Sequence, residues 1–287
     1  MPHLDINDVR IAYEIVGSGP RSAVITPGGR FPKESPGVRE LASVLAEQGY
    51  RVLIWDRPNC GESDVCFEAE TESVLNADTL AALLDRLGMA PALVIGVSAG
   101  SRVSLMTASR HPQAVRSLAL LWITGGWTGL AGLAGVYCGE LLTAAKIGGM
   151  EAVCESQWIA ETVRRNPRSR GIILSYDVDR FCDIMQRWAR AFIPDEGSPV
   201  PGMSLGDFKK VKAPVLIFRS GHSDFSHPDY TTDETHRLID VSELVAPPWG
   251  DREWIERVQD SARGLFRRVP LLAPQIIAFE NATLGGK

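Results

Sequence analysis

Gly96-Val97-Ser98-Ala99-Gly100 follows the apolar run Ala92-Leu93-Val94-Ile95 and precedes a helix-compatible stretch, Ser101 to Arg110. A serine flanked by glycines at a strand-to-helix junction is a pattern with a mechanism behind it. Glycine tolerates the sharp backbone turn, so the hydroxyl is thrust out at the carboxyl edge of a sheet. Ser98 is the candidate nucleophile. The amide of Ala99 then lies at the start of the following helix, where unpaired N–H groups favour a developing oxyanion.

A serine hydroxyl needs a base, and the chain has only five histidines. His3 is near the start, His111 closes the helix after Ser98, and His236 falls on a helical stretch facing solvent. His222 and His227 bracket Asp224 in a loop after the strand-like run Val215 to Phe218. His227 is three residues beyond Asp224 in Asp-Phe-Ser-His-Pro, a spacing that a tight turn can close to hydrogen-bonding range. The expectation is that His227 takes the proton from Ser98, with Asp224 or Asp251 orienting the imidazole and His222 as the weaker candidate base.

The elements that must position these groups are legible from periodicity. Short β-branched runs separated by helical patterns imply a mostly parallel, doubly wound α/β sheet with crossover helices. Val9 to Val16 alternates like an antiparallel edge strand; Ser22 to Thr26, Val52 to Trp55, Leu93 to Ile95, Leu118 to Ile123, Val215 to Phe218 and Ser242 to Val245 read as further strands. Ser35-Pro36 looks like a helix start, and Glu72 to Leu87 is a helix stopped by Gly88. After Ile123 the alternation breaks. A Gly-rich segment, Gly125 to Gly139, leads into helical patterns around Leu141 to Ile147, Glu151 to Arg165 and Asp179 to Phe192. This stretch is too long for a loop and reads as an inserted helical cap over residues 124–210, with the core formed by 1–123 and 211–287. Trp127, Trp158 and Trp188 within it are candidate substrate-binding residues above Ser98.

Four landmarks in order carry a resemblance to the α/β-hydrolase superfamily, in particular to capped members such as C–C hydrolases, lactonases and esterases. They are Thr26-Pro27-Gly28-Gly29-Arg30 after an early strand, Asp56-Arg57-Pro58-Asn59-Cys60-Gly61-Glu62-Ser63, the serine turn itself, and Gly221-His222-Ser223-Asp224. The resemblance implies that the amide of Gly29 joins that of Ala99 in an oxyanion hole and that Asp224 is the acid; Arg30, which follows these glycines, is a candidate to bind a substrate carboxylate through its planar fork, the alternative being a structural ion pair. It also exposes a departure. Members usually carry a Gly-His dipeptide after the last strand, whereas this chain has Gly250-Asp251 there and no histidine beyond His236. Asp251 is therefore an alternative acid or base. A serine nucleophile argues against epoxide hydrolases and haloalkane dehalogenases, which resemble the fold but use an aspartate.

The expected activity is serine-dependent hydrolysis of a small, hydrophobic or aromatic ester, lactone or activated ketone through an acyl-enzyme. The alternatives are a non-hydrolytic lyase or isomerase on the same scaffold, and a ligand-binding protein with a degenerate triad. At 287 residues, 45 % hydrophobic, 23 % charged and net charge −5, the composition is that of an ordinary soluble globular protein with no call for nucleic acid. No charged-then-apolar leader and no run of membrane-spanning length are read in the sequence, so a cytoplasmic location without membrane contact is expected. Cys60, Cys66, Cys138, Cys154 and Cys182 form no C-x-x-C pair and read as packing thiols, with no metal or organic cofactor implied. The expected partner is a small-molecule substrate, with a homodimer by analogy to the fold.

Overall fold

The computed structural model describes residues 2–222, 224–249 and 266–285. Among them, eight strands form one sheet in the order β1-β2-β4-β3-β5-β6-β7-β8. The strands are β1 His3–Ile6, β2 Val9–Val16, β3 Arg21–Thr26, β4 Tyr50–Trp55, β5 Ala92–Val97, β6 Val115–Leu121, β7 Val215–Phe218 and β8 Ser242–Val245. β1 and β2 pair antiparallel, β2 joins β4 antiparallel, and every later pairing is parallel. This is the doubly wound α/β sheet expected. The central strands are apolar at nearly every position because both of their faces are covered.

Alternate residues along each strand supply two cores. Ala23 and Ile25 of β3, with Leu93 and Ile95 of β5, pack against α1 (Val38–Glu47) and the helix Ala273–Gly285. Val24 and Val94 face the other way, onto α2 (Glu72–Arg86) and α3 (Ala99–Arg110) through Leu80, Leu84, Val103 and Met106. The chain leaves β3 toward β4 on one side and reaches β5 on the other, so the winding reverses between β3 and β5. Ligands bind beyond the carboxyl ends of strands at such a reversal. Gly28 and Gly29 follow β3, and Ser98 follows β5.

Two starts differ from expectation. β2 is not the edge, because β1 pairs outside it through Asn7 and Asp8, both at positive φ (49° and 65°). This is the left-handed two-residue turn that matches strand twist, and it puts His3 on a strand. α1 begins at Val38 rather than beside Pro36; Gly37, at φ 98°, precedes it and donates its N–H to the Glu40 carboxylate at 2.7 Å.

Between β6 and β7 the chain forms α4 (Trp127–Ala134), a single π-helical turn (Gly135–Gly139), α5 (Glu140–Glu155), α6 (Gln157–Arg165), α7 (Arg168–Leu174), α8 (Val178–Arg190) and α9 (Leu205–Lys210). The Gly-rich segment is thus helical. A third hydrophobic cluster, including Phe67, Tyr137, Leu141, Ile159, Phe181 and Trp188, gives this insertion its own interior. Val200, Met203 and Phe208 pack instead with the sheet, so the side chains divide before residue 210. By length and composition the helical run Trp127–Arg165 could cross a membrane, contrary to the sequence reading. It is nevertheless bent at Gly149 (φ 68°, ψ −165°) and interrupted by the extended Ser156, and its buried side chains serve the third cluster.

Candidate active site

Ser98 is held at φ 57° and ψ −119°, a conformation rare outside glycine. The surrounding chain accounts for it. A Cβ on Gly100 would lie 2.0 Å from the Thr26 carbonyl oxygen, and one on Gly96 would lie 2.6 Å from the Ser101 backbone nitrogen. Both glycines therefore permit α3 to pack tightly beneath the turn. Ser98 donates its backbone N–H to Leu121 O at 2.8 Å, and the Ser101 hydroxyl lies 2.8 Å from the carbonyl oxygens of both Gly96 and Leu121.

The loop after β7 carries the partner groups. Asp224 Oδ1 accepts from the backbone N–H groups of Ser226 and His227, each at 3.0 Å. This side-chain turn folds His227 back over the carboxylate. Asp224 Oδ2 then lies 2.8 Å from His227 Nδ1, and His227 Nε2 lies 2.7 Å from Ser98 Oγ. An ionised carboxylate only accepts, so Nδ1 carries the proton and Nε2 is left to accept from the serine. Asp224 and His227 are 3 % and 5 % exposed, so water does not compete for these bonds. Thr124, which sequence reasoning missed, brings its hydroxyl to 3.4 Å from Ser98 Oγ.

Arg57 orients the opposite wall. Its guanidinium donates to Gly28 O at 3.2 Å and to Gly29 O. In a trans peptide the carbonyl and the next amide point in opposite directions. Pinning Gly28 O to Arg57 therefore turns the Gly29 N–H away from the arginine. Gly28 itself abuts the serine, since a Cβ there would sit 2.7 Å from Ser98 Cβ. Among the described residues, neither the Gly29 nor the Ala99 N–H has an acceptor. The signal for Arg57 was available in the Asp56-Arg57 pair, but the sequence does not show that its fork would reach back to the glycines.

Other predicted residues fare differently. Trp158 lines the cavity above Ser98, but Trp127 is 78 % exposed and Trp188 is buried in the third cluster, its Nε1 donating to Ala69 O at 3.2 Å. Helical phase decides both: each ring points away from the serine. Arg30 is buried behind Tyr137, paired with Glu72 at 3.3 Å, and does not line the cavity. His222 is exposed beside Asp229 at 3.3 Å, which removes it as a base for Ser98. Gly250 and Asp251 lie outside the described residues. Glu34, Asp56 and Glu62 converge closely enough to hold a metal ion, but the Lys33 ammonium already occupies that place, 2.8 Å from Asp56 and 3.0 Å from Glu62. Burial alone would lower the Lys33 pKa; Asp56 and the two glutamates hold it well above the usual lysine range.

The cavity encloses about 380 Å³ between Ser98 and His227 below and the helical insertion above. Phe31, Leu133, Val136, Tyr137 and Trp158 make its walls mostly apolar. A hydroxyl–imidazole–carboxylate chain at the floor of an apolar cavity, beside two unengaged amides, is equipped for acyl transfer.

The sequence comparisons agree with this architecture. Residues 28–126 match the family described as the alpha/beta hydrolase fold. The chain has the alpha/beta hydrolase fold. Among curated relatives, the 2-hydroxy-6-oxononadienedioate/2-hydroxy-6-oxononatrienedioate hydrolase of Burkholderia vietnamiensis is 33 % identical over 131 residues, covering 44 % of this chain and 43 % of that protein. The Pseudomonas putida hydrolase of the same description is 33 % identical over 129 residues, 42 % of each chain. The match thus spans less than half the length of these relatives. A meta-cleavage product hydrolase from Pseudomonas fluorescens superposes with a TM-score of 0.59 at 20 % identity, covering 96 % of this chain and 97 % of that one. The enol-lactonase from Burkholderia xenovorans gives 0.56 at 18 % identity, covering 91 % and 97 %. At such identities the superpositions speak to the fold.

Proposed function

We propose that this protein is a serine hydrolase that cleaves a small, mostly apolar ester, lactone or activated ketone through an acyl-enzyme on Ser98. The reading rests on one observation, the chain Ser98 Oγ–His227 Nε2 at 2.7 Å and His227 Nδ1–Asp224 Oδ2 at 2.8 Å. Attack by Ser98 Oγ on the substrate carbonyl passes the hydroxyl proton to His227 Nε2, and the buried Asp224 carboxylate stabilises the resulting imidazolium. The Gly29 and Ala99 amides receive the negative oxygen. The imidazolium then gives its proton to the leaving group, and a water activated by the same nitrogen releases the acid. The helical insertion acts as a cap that holds an apolar substrate against the serine and away from bulk water. The curated relatives, named as 2-hydroxy-6-oxononadienedioate/2-hydroxy-6-oxononatrienedioate hydrolases, and the neighbour named as an enol-lactonase support hydrolysis of this class.

Covalent labelling by a fluorophosphonate tests the reading. Wild type is expected to label, while Ser98→Ala and His227→Asn do not. Labelling that survives in His227→Asn would remove His227 as the base. A folded wild type refractory to both a bulky and a small fluorophosphonate would end the acyl-enzyme proposal.

A further inference from the structure

Tyr137 sits in the π-helical turn Gly135–Gly139, where the chain inserts extra length between α4 and α5. Such turns break the helical phase and aim side chains that an unbroken α-helix would send elsewhere. Here the phenol lines the cavity that Ser98 also lines. The side chain lines the cavity, and its hydroxyl lies 3.0 Å from where a Cβ on Gly29 would stand, beside the amide assigned to the oxyanion hole. Among the described residues this hydroxyl has no hydrogen-bond partner, although the residue is only 6 % exposed. The hydroxyl is not sealed off from the cavity, so a group that enters there can become its partner.

The rest of the residue is firmly held. The Arg30 guanidinium stacks on the ring at 4.7 Å and donates to the Tyr137 carbonyl oxygen at 3.3 Å. Trp158 meets the ring edge-on at 6.0 Å. Arg30 is in turn anchored by Glu72. A cation against the ring face draws electron density from the phenol, which strengthens its O–H as a donor. Burial pushes the Tyr137 pKa up despite Arg30, so the hydroxyl keeps its proton through the neutral range.

We propose that Tyr137 is a catalytic residue, a third oxyanion donor whose hydroxyl hydrogen-bonds the substrate carbonyl oxygen as negative charge develops there. The inference rests on the acyl-enzyme reading above. No proton changes hands: Tyr137 keeps its hydrogen while the Gly29 and Ala99 amides share the same oxygen. The third donor reaches the site from the insertion, whereas both amides belong to the sheet side. Catalytic competence therefore depends on how the insertion sits over the serine.

The test is Tyr137→Phe, which keeps the ring and its stack on Arg30. Hydrolysis of p-nitrophenyl butyrate and inhibition by an alkyl trifluoromethyl ketone, whose serine adduct carries an oxyanion, are compared with wild type. The expected result is a fall in kcat of roughly 10- to 1,000-fold with KM changed by less than about threefold, as for loss of one oxyanion donor. Affinity for the ketone should fall by a similar factor at unchanged melting temperature. A purely structural role would lower the melting temperature and leave the ketone's relative affinity alone; that outcome, or wild-type kinetics in the variant, overturns the proposal. If wild type is itself inert to the ester and to fluorophosphonates, the acyl-enzyme reading fails and this inference falls with it. An active wild type with an equally active Tyr137→Phe refutes Tyr137 alone.

Discussion

Replacing Asp224 by asparagine changes one atom and sets two demands against each other. Asp224 Oδ1 holds the loop by accepting two backbone N–H groups at 3.0 Å, while Oδ2 accepts from His227 Nδ1 at 2.8 Å. Asparagine has one acceptor oxygen. If that oxygen keeps the loop, the amide nitrogen faces Nδ1, which must give up its proton. The imidazole is then protonated on Nε2, 2.7 Å from Ser98 Oγ, and no base remains. If the oxygen faces Nδ1 instead, two backbone bonds are lost and donors confront donors, at a cost of about 2–3 kcal/mol. The second arrangement would hold roughly 1–3 % of molecules, since each 1.4 kcal/mol is a factor of ten. Residual turnover is thus capped at about 3 % of wild type, and a wrong tautomer throughout would bring the loss to about 10⁴-fold. The first arrangement keeps the loop bonds, so the melting temperature should move by only about 2–4 °C. Steady-state hydrolysis of p-nitrophenyl butyrate, fluorophosphonate labelling rates and thermal unfolding read these quantities together. A folded Asp224→Asn protein keeping more than a tenth of wild-type activity would refute the tautomer argument.

Two further outcomes concern stability. Lys33→Met removes the cation from a buried place where Asp56 is fully enclosed, and should cost about 3–5 kcal/mol in urea unfolding; the double variant with Asp56→Asn should recover part of that loss, and no recovery would show that the pair is not coupled. Asp207 is partly buried, which alone would raise its pKa, but bonds from Lys210 and Ser204 lower it from 3.8 to about 2. A depressed carboxylate pKa contributes stability that is complete above the unfolded value near pH 4 and is lost as pH falls toward 2. The shift sets an upper bound of about 2 kcal/mol. Asp207→Asn should therefore show a flatter loss of stability between pH 4 and 2 than wild type, measured by urea midpoint, and identical slopes would count against the assignment.

Much of this architecture is written in local pattern. Apolar runs such as Leu93-Val94-Ile95 declare strands covered on both faces, and the glycines around Ser98 declare the turn. The pairing of His227 with Asp224 is legible for the same reason: three residues and one side-chain turn decide it. What stays hidden is set by distant packing. Arg57 reaches Gly28, and the insertion turns Trp158 into the cavity while sending Trp127 to solvent, only because helices from separate parts of the chain meet. The β1–β2 hairpin was missed for a different reason. Its Asn-Asp turn lacks the glycine that usually advertises a left-handed pair, so the sequence carries no hairpin signal before Val9.

The geometry of the loop after β7 has one more consequence. With acid and imidazole three residues apart, their spacing is fixed by the loop's own backbone and is insulated from any shift of β8 relative to β7. On the proposed reading, base and orienting carboxylate form one short segment, Asp224 to His227, that can be transplanted as one piece. Grafted behind the corresponding strand of a related scaffold stripped of its native histidine, this segment needs to satisfy a single remaining distance, that from the imidazole to the serine.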